Sequence, residues 1–540
     1  MVENIKQIKT RLLVAALLVA IGLAGGYVII RLVLFLTADY SWVEKLAAGL
    51  LIIAETFIII HGVNYFRHIL VVQRKHGALS NVPTENALKT SPPVAIIVSS
   101  FREPLGVIEN TLVCFHNLTY ANKNIYLLDD TRYDRGNPEE NLRYRAAVDA
   151  LCQRIGIPVF RRKWHGAKAG MINDFLAFRG GENRDDFEIQ SWGKPLGEQE
   201  KYIMVFDADM NPFPDAAESL VAAMESDPKM AFIQTPQYYT NFEGNRIARA
   251  AGLQQAVFYE YICEGKGAEG AMFCCGTNVI FRREALVSVG GFDETSVTED
   301  IATSVKFHMH GWHSAYSPKV CAFGMGPEDL GSYFKQQFRW ALGTLSLIRG
   351  LLGLFVHHAR SMSPLLWWEY IVSSTYYLVG TVFLIMVLTP VFYLILRIPT
   401  YFARPEIYFT AFVPYFALTM LVFFTTLSER QYRFRDIIQG QLLIAVSFPV
   451  YLQAAWWALI NKRGRFVVTP KAGANALPLK NLLPQLLVLI LCYMAIVWGG
   501  CRVYYEREIV SAVLVNMFWC VYHMLLLSSV FYFNAVRQSK

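Results

Sequence analysis

Charge is scarce in this chain: Asp, Glu, Lys and Arg make up 17% of its 540 residues, while 54% are hydrophobic and 14% aromatic. Soluble domains carry about 25% charged residues, so the surplus of apolar surface needs an environment other than water. Paired cysteines are lacking as well. The nine cysteines are scattered with no CxxC spacing, and the adjacent Cys274 and Cys275 rarely reach disulfide geometry, so neither a disulfide framework nor a zinc ribbon is expected. Internal repeats and low-complexity tracts are absent, which excludes solenoids and compositionally biased tails. The net charge of +7 does not require nucleic acid, because an anionic leaflet attracts basic loops equally well.

What the chain does have is apolar runs of roughly 20 residues or more, the length that crosses a bilayer. They cover residues 12–36, 46–70, 367–396, 407–427, 482–504 and 509–533, predicting about six spans around a central polar block. The first run is too long for a removed signal peptide and has no small-residue cleavage site, so it reads as a retained anchor. Basic residues gather at Arg67, Arg74 and Lys75, at Arg430, Arg433 and Arg435, at Lys462, Arg463 and Arg465, and at Arg537 and Lys540. That asymmetry predicts that the polar block and both termini face the cytoplasm, although Arg397, Arg404, Arg502 and Arg507 fall on the opposite side. The helical stretch from Arg339 is interrupted by His357, His358 and Arg360, and 436–461 contains Pro449 and the Trp456-Trp457 pair. Both read as helices lying in the interface. The expected organisation is two membrane helices in 1–75, a polar domain in 76–345, interfacial helices, two spans and a basic loop (463–473) in 346–480, and two spans in 481–540.

Within the polar block, short β-branched apolar runs alternate with amphipathic segments, the pattern of an α/β sheet covered by helices. The clearest strands are 94–98, 125–128, 202–206 and 231–234. Several run straight into polar residues at their carboxyl ends, the edge of an open α/β sheet where ligands bind. The Gly-rich, charged stretch 179–201 reads as a solvated loop without chemistry.

The strongest local signal is Asp207-Ala208-Asp209 at the end of a strand. One or two carboxylates completed by substrate phosphates is the usual way to hold Mg²⁺, although DxD also occurs in exposed turns. Ser99, Ser100, Arg102 and Glu103 follow the first strand and Asp129-Asp130 ends the second; these positions can bind a base and ribose, or simply form turns. In His165-Gly-Ala-Lys168-Ala-Gly170, small residues allow close backbone approach and Lys168 can meet a phosphate. In Thr298-Glu299-Asp300, Asp300 stands at the start of a predicted helix, either as a general base or as a cap. Gln336-Gln-Phe-Arg339-Trp340 offers a guanidinium fork for phosphate and a flat apolar face for a sugar, or an interfacial anchor.

In order, these elements resemble the processive family 2 glycosyltransferases of the cellulose synthase and hyaluronan synthase type, with their Asp, DxD, TED and QxxRW pattern. Secondary matches fall at 165–173, at Gln234-Thr-Pro236 and at Phe273-Cys-Cys-Gly276, and the resemblance runs from about Pro93 to the last helix. It implies a GT-A α/β domain inserted between transmembrane helices. It further implies UDP held by Asp129, Asp130, Lys168 and Asp207, and Mg²⁺ or Mn²⁺ on Asp209. Asp300 is implied as catalytic base within Thr298-Glu299-Asp300, with Gln336, Arg339 and Trp340 at the diphosphate and acceptor. Ser99, Glu103, Cys275 and Gly276 complete the implied substrate contacts. Phe466, Val468, Thr469 and Lys471 match the FxVTxK gating loop of the cellulose-synthase-like branch. Two departures stand out: Lys168-Ala-Gly-Met171 replaces the common KAGN, with the next Asn at 173, and the chain ends at Lys540. That ending leaves the expectation that no C-terminal cyclic di-GMP domain is encoded.

The activity expected from this resemblance is inverting, processive synthesis of a β-glucan from UDP-glucose, as cellulose, a 1,3-glucan or a mixed-linkage polymer. The product would cross a bacterial inner membrane, through a channel lined by aromatics such as Trp367, Trp368, Tyr370, Tyr451 and Trp456. The partners expected are the donor, the growing polysaccharide, the bilayer and a periplasmic or envelope protein. Use of UDP-N-acetylglucosamine, transfer of single sugars to a lipid carrier, and a transporter whose domain only senses nucleotide are the rivals. Glu55, deep in the second run, is costly there and is expected to face the bundle or the channel.

Overall fold

The computed structural model describes residues 2–74, 90–402, 405–462, 475–505 and 510–535. Two long helices, Val2–Thr37 and Trp42–Arg74, lead into an α/β domain, and a set of mostly apolar helices from Leu330 to Asn534 follows it. The expected GT-A α/β domain between apolar helices is what the chain builds.

The domain is organised on a mixed eight-stranded sheet. Its order is His313–Tyr316, Met230–Gln234, Val279–Arg282, Tyr202–Asp207, Val94–Ser100, Lys123–Asp129, Val159–Arg161 and Glu188–Gln190. Val94–Ser100 pairs in parallel with Lys123–Asp129 on one side and Tyr202–Asp207 on the other. Period-2 alternation divides the central strand between two cores: Val94, Ile96 and Val98 pack with Leu112, Phe115 and Val148, while Ala95 and Ile97 pack with Ile172, Phe175 and Phe281. With both faces covered, the open place left for chemistry is the carboxyl edge. Register aligns that edge, since Ser100 faces Asp129 and Ser99 faces Asp207.

The stretch 179–201 corrects the expectation of a solvated loop. Glu188–Gln190 pairs antiparallel with Val159–Arg161. Glu200 is buried, accepting hydrogen bonds from Asn124, Tyr126 and Arg179. Three donors compensate the buried carboxylate.

Among the described residues, seven helices are long and apolar enough to cross a membrane, and the bent pair Phe434–Val446 and Phe448–Leu459, broken by 46°, would make eight. Six coincide with the expected runs. The seventh, Leu330–Ser361, includes the stretch expected to lie in the interface on account of His357, His358 and Arg360. Those residues cluster at its end and leave the turns before them apolar. Its first turns enter the polar cleft of the α/β domain, which Gln336, Arg339 and Trp340 line. Gly343 permits the approach: a Cβ there would meet Cγ2 of Thr298 at 2.4 Å.

Glu55 does face the bundle. Its carboxylate lies 2.8 Å from Nε of Arg31 and accepts a 2.7 Å hydrogen bond from Tyr27. Its partner, one helix away, carried no signal in the local sequence.

Candidate active site

One cleft of about 260 Å³ opens at the carboxyl edge of the sheet. Ser99, Glu103, Asp130, Lys168, Asp207, Asp209, Cys275, Gly276, Thr298, Glu299, Asp300, Gln336, Arg339 and Trp340 all line it. The strand ends supply Ser99 and Asp207. The helices Ala167–Arg179, Glu299–Met309 and Leu330–His358 supply the groups that close over them.

The two carboxylates of Asp207-Ala208-Asp209 diverge. The Asp207 side chain is 47% exposed and ion-pairs with Lys168, whereas Asp209 is buried, with Oδ2 3.4 Å from the backbone N–H of Met325. Lys168 also donates to the Gly276 carbonyl at 2.8 Å. Burial works against its charge, yet Asp207 holds the ammonium above its usual pKa, so Lys168 stays cationic beside the cleft. A hard divalent cation fits these residues: Asp209 presents carboxylate oxygen at the cleft wall next to Asp207, and the open space in front takes phosphate ligands.

Asp300 lies in the first turn of Glu299–Met309, whose N-cap is Thr298, so it is not the cap. Its Oδ1 accepts from the backbone N–H of Ile301 at 2.8 Å. Burial and the neighbouring Glu299 carboxylate push its pKa up to about 7, with Lys168 working in the other direction. Glu299 is itself raised by burial. A carboxyl that titrates near neutrality inside a cleft has the properties of a general base.

The segment Phe273–Gly276 is fixed from beneath. Gln234, fully buried, accepts from Cys275 N–H at 2.8 Å and donates to the Thr277 carbonyl at 2.8 Å. Gln237 donates to the Cys275 carbonyl at 3.3 Å and lines the cleft with Tyr239. These three, with Glu328, are site groups that the motif reading left out, although Gln234 stood inside a secondary match.

Asp129 and Asp130 separate. Asp130 lines the cleft and lies 3.2 Å from Arg162, its pKa raised to about 7 by burial and restrained by that guanidinium. Asp129 is turned away, 2.8 Å from Arg161 Nε and accepting from Tyr133 at 2.5 Å. Successive strand residues point to opposite faces, so an acidic pair at a strand end cannot send both carboxylates into one pocket. Asp129, expected at the substrate, bonds Arg161 and Tyr133 at the same strand end. Asn173, the displaced Asn of the departed motif, hydrogen-bonds the backbone of Phe292 and the side chain of Glu294, and Met171 lines the cleft instead. Of the aromatics considered for a channel, Trp367, Tyr370 and Tyr451 are buried in packing, Tyr370 against His308 and Tyr451 against Gln337, while Trp456 is exposed on its helix. Phe466, Val468, Thr469 and Lys471 lie outside the described residues.

Comparison with known proteins finds glycosyltransferases. Residues 95–290 match the model of Glycosyl transferase family 2, and residues 202–427 that of Glycosyl transferase family group 2. The chain is 26% identical over 543 residues to the cellulose synthase catalytic subunit (UDP-forming) of Pseudomonas fluorescens, covering 97% of this chain and 67% of that protein. It is 26% identical over 454 residues to cellulose synthase 2 of Novacetimonas hansenii, covering 79% of this chain and 25% of that protein. The chain thus spans about two thirds of the first relative and a quarter of the second. A solved mannosyltransferase from Pyrobaculum calidifontis, in complex with GDP-Man and Mn²⁺, covers 74% of this chain and all of its own at 14% identity and a TM-score of 0.44. The chain is a membrane protein carrying a family 2 glycosyltransferase domain of GT-A fold, similar over most of its length to cellulose synthase catalytic subunits.

Proposed function

We propose that this chain polymerises a β-glucan from UDP-glucose by inverting, processive transfer, and passes the product through its own membrane helices. The observation that carries the reading is the convergence of Asp300, the Asp207/Lys168 pair, Asp209 and Gln336/Arg339/Trp340 on one cleft. The similarity to UDP-forming cellulose synthases supports the choice of donor. The same reading has the catalytic domain and both termini in the cytoplasm, in keeping with the basic loops.

In this reaction an acceptor hydroxyl attacks the anomeric carbon opposite the diphosphate. A new C–O bond forms, the bond between anomeric carbon and phosphate oxygen breaks, and UDP departs. Asp300, half-buried and titrating near 7, takes the hydroxyl proton as the nucleophile forms. Lys168 stays protonated and Arg339 presents a permanent cation in the same cleft, so both stabilise charge that grows on the leaving diphosphate. When bound at Asp209, Mg²⁺ or Mn²⁺ supplies further compensating charge for the phosphates. Trp340 offers a ring face on which the acceptor sugar stacks.

The test uses purified protein in nanodiscs with a panel of UDP-sugars and a divalent cation, with UDP release and glucanase digestion of the product as readouts. UDP release from UDP-glucose, lost in Asp300→Asn and accompanied by a glucanase-sensitive polymer, is the expected result. Release only from UDP-N-acetylglucosamine, or single-sugar transfer without polymer, would overturn the choice of donor or the processivity.

A further inference from the structure

Behind the cleft, where the catalytic domain meets the membrane helices, lies a buried cluster of charge that the mechanism above does not use. Lys266, in the short helix Glu264–Ala268, is 1% exposed. Its ammonium contacts the carboxylate of Glu369, also 1% exposed, and donates to Ser373 Oγ at 3.0 Å. The second Glu369 oxygen takes Arg67, which reaches on to Glu269. His68 Nε2 lies 3.3 Å from Glu369, and Asn64 bridges His68 to the indole of Trp368. Three segments distant in the sequence are joined: the end of Trp42–Arg74, residues 266–269 of the catalytic domain, and the start of Pro364–Thr375.

The donor atoms of His68, Glu269 and Glu369 lie within 4.8 Å of one another, close enough for a metal ion. The ammonium of Lys266 and the guanidinium of Arg67 already bond both carboxylates, so the cationic role there is filled by the chain itself.

Such a cluster is an expensive way to hold helices together. A well-packed apolar core of the same volume is commonly as stable or more so, because desolvating charges offsets most of their attraction. What directional charge pairs add is a defined register, since donors and acceptors meet in one arrangement whereas apolar faces slide. The register here concerns the active site directly. Helix Glu264–Ala268 leads into the segment carrying Cys275 and Gly276, and Lys266 Nζ lies 5.3 Å from the ring centroid of Phe273. Phe273 packs with Ile301, Trp367 and Tyr370, and Ile301 follows the proposed base. On the helix side Gly265 fits only because it lacks a Cβ, which would stand 2.6 Å from His68 Nδ1.

From this geometry we infer that Lys266 and Glu369 are positioning residues: their pair sets the register of the Phe273–Gly276 segment against the membrane helices and thereby places the acceptor before Asp300. The link to transfer rests on the function proposed above; the geometric part stands without it. Both residues act through Cys275 and Gly276 rather than touching substrate themselves.

Two readouts separate the parts. The first needs no substrate: the alkylation rate of each cysteine by N-ethylmaleimide, resolved by peptide mass spectrometry, in the full-length protein in nanodiscs. Lys266→Met is expected to speed modification of half-buried Cys275 about tenfold while buried Cys321 and Cys152 keep wild-type rates; Lys266→Arg, which keeps the charge, should restore most of the protection. Should Lys266→Met fail to fold, Lys266→Met/Glu369→Met, which removes both charges, carries the same measurement. Unchanged Cys275 reactivity, or a rise shared by every buried cysteine, overturns the proposal. The second readout is UDP release. Lys266→Met, or the double variant in its place, should lose about tenfold in kcat with donor KM within twofold of wild type while Lys266→Arg recovers most of the loss, and a folded Lys266→Met with wild-type kcat overturns the link to transfer. Wild-type protein that releases UDP from no donor sinks the proposed function and leaves the cysteine measurement to decide the geometry.

Discussion

Gly276 approaches Asp300 so closely that a Cβ at position 276 would stand 3.0 Å from Oδ2 of the carboxylate, and its φ of +82° lies in the left-handed region. The backbone of one motif therefore forms the wall against which the proposed base is held. Gly276→Ala is expected to destabilise the protein by about 1–2 kcal/mol from backbone strain alone. It should also displace Asp300 and cut turnover far more than that loss of folding explains. Thermal unfolding together with UDP release per folded molecule tests this; wild-type turnover in a folded variant would remove the contact from the mechanism.

The titration of Asp300 sets a pH dependence. The carboxyl accepts a proton only when ionised, and burial with the Glu299 charge raises its pKa to about 7. kcat/KM should accordingly fall as pH drops below about 7. Glu299→Gln removes one of the raising charges and should move that acid limb to lower pH. Stability runs in the opposite sense. The unfolded carboxyl loses its proton near pH 4, the folded one near 7, so the folded state binds the extra proton between them and stability contributed by this group is lost as pH rises through 7. Asp300→Asn should unfold at a higher temperature than wild type at pH 8 while losing on the order of 10²–10⁴-fold in turnover. A pH–rate profile flat from 5 to 8 would rule Asp300 out as the base.

Chelation tests the cation proposed at Asp209. EDTA should abolish UDP release, and added Mg²⁺ or Mn²⁺ should restore it. Loss of the cation forfeits several kcal/mol of charge stabilisation, or on the order of 10²-fold or more in rate. Asp209→Asn should weaken Mn²⁺ binding seen by electron paramagnetic resonance in the presence of UDP. Unchanged Mn²⁺ affinity in that variant would move the site elsewhere.

Asp129 and Asp130 should behave as differently as their surroundings. Asp129→Ala leaves Asp149 as the carboxylate partner of buried Arg161 and removes the acceptor of Tyr133, and is expected to cost about 1.5–3 kcal/mol in stability. Asp130→Asn should spare most of the stability and raise the KM for the UDP-sugar. Parallel melting curves and donor titrations distinguish them, and the reverse pattern would contradict the assignment of Asp130 to the cleft.

The Arg31–Glu55 pair joins two apolar helices, and its role is structural on this geometry. Glu55→Gln strands the Arg31 guanidinium and should destabilise the protein in detergent by about 3–5 kcal/mol. The double change Arg31→Met/Glu55→Met should recover most of that loss. If Glu55→Gln instead shortens the polymer at wild-type stability, the pair serves the glycan path rather than the bundle.

Hydrophobic periodicity made the central strands legible, and run length did the same for six of the apolar helices, because both signals are local. Asp207, Asp209 and Asp300 were legible for a related reason: each sits where a strand ends or a helix begins, and short motifs carry that spacing, as one does for Arg339 within its helix. Other features escaped. The alternation that turns Asp129 inward while Asp130 lines the cleft depends on the strand's last hydrogen-bonded residue, and Glu200 looked solvent-exposed because its three donors come from residues 124, 126 and 179.

The order of catalytic motifs, the apolar helices around the domain and the family of the enzyme were determined by the sequence alone, since each depends on residues near one another in the chain. Only the tertiary structure decided that Gly276 abuts Asp300, that Gln234 holds the Cys275 backbone, that Arg31 meets Glu55 and that Lys266 meets Glu369. These pairs lie 24, 41, 24 and 103 residues apart. Pairing over such distances follows from how whole helices and strands pack, and packing is a property of surfaces that no short stretch of sequence contains.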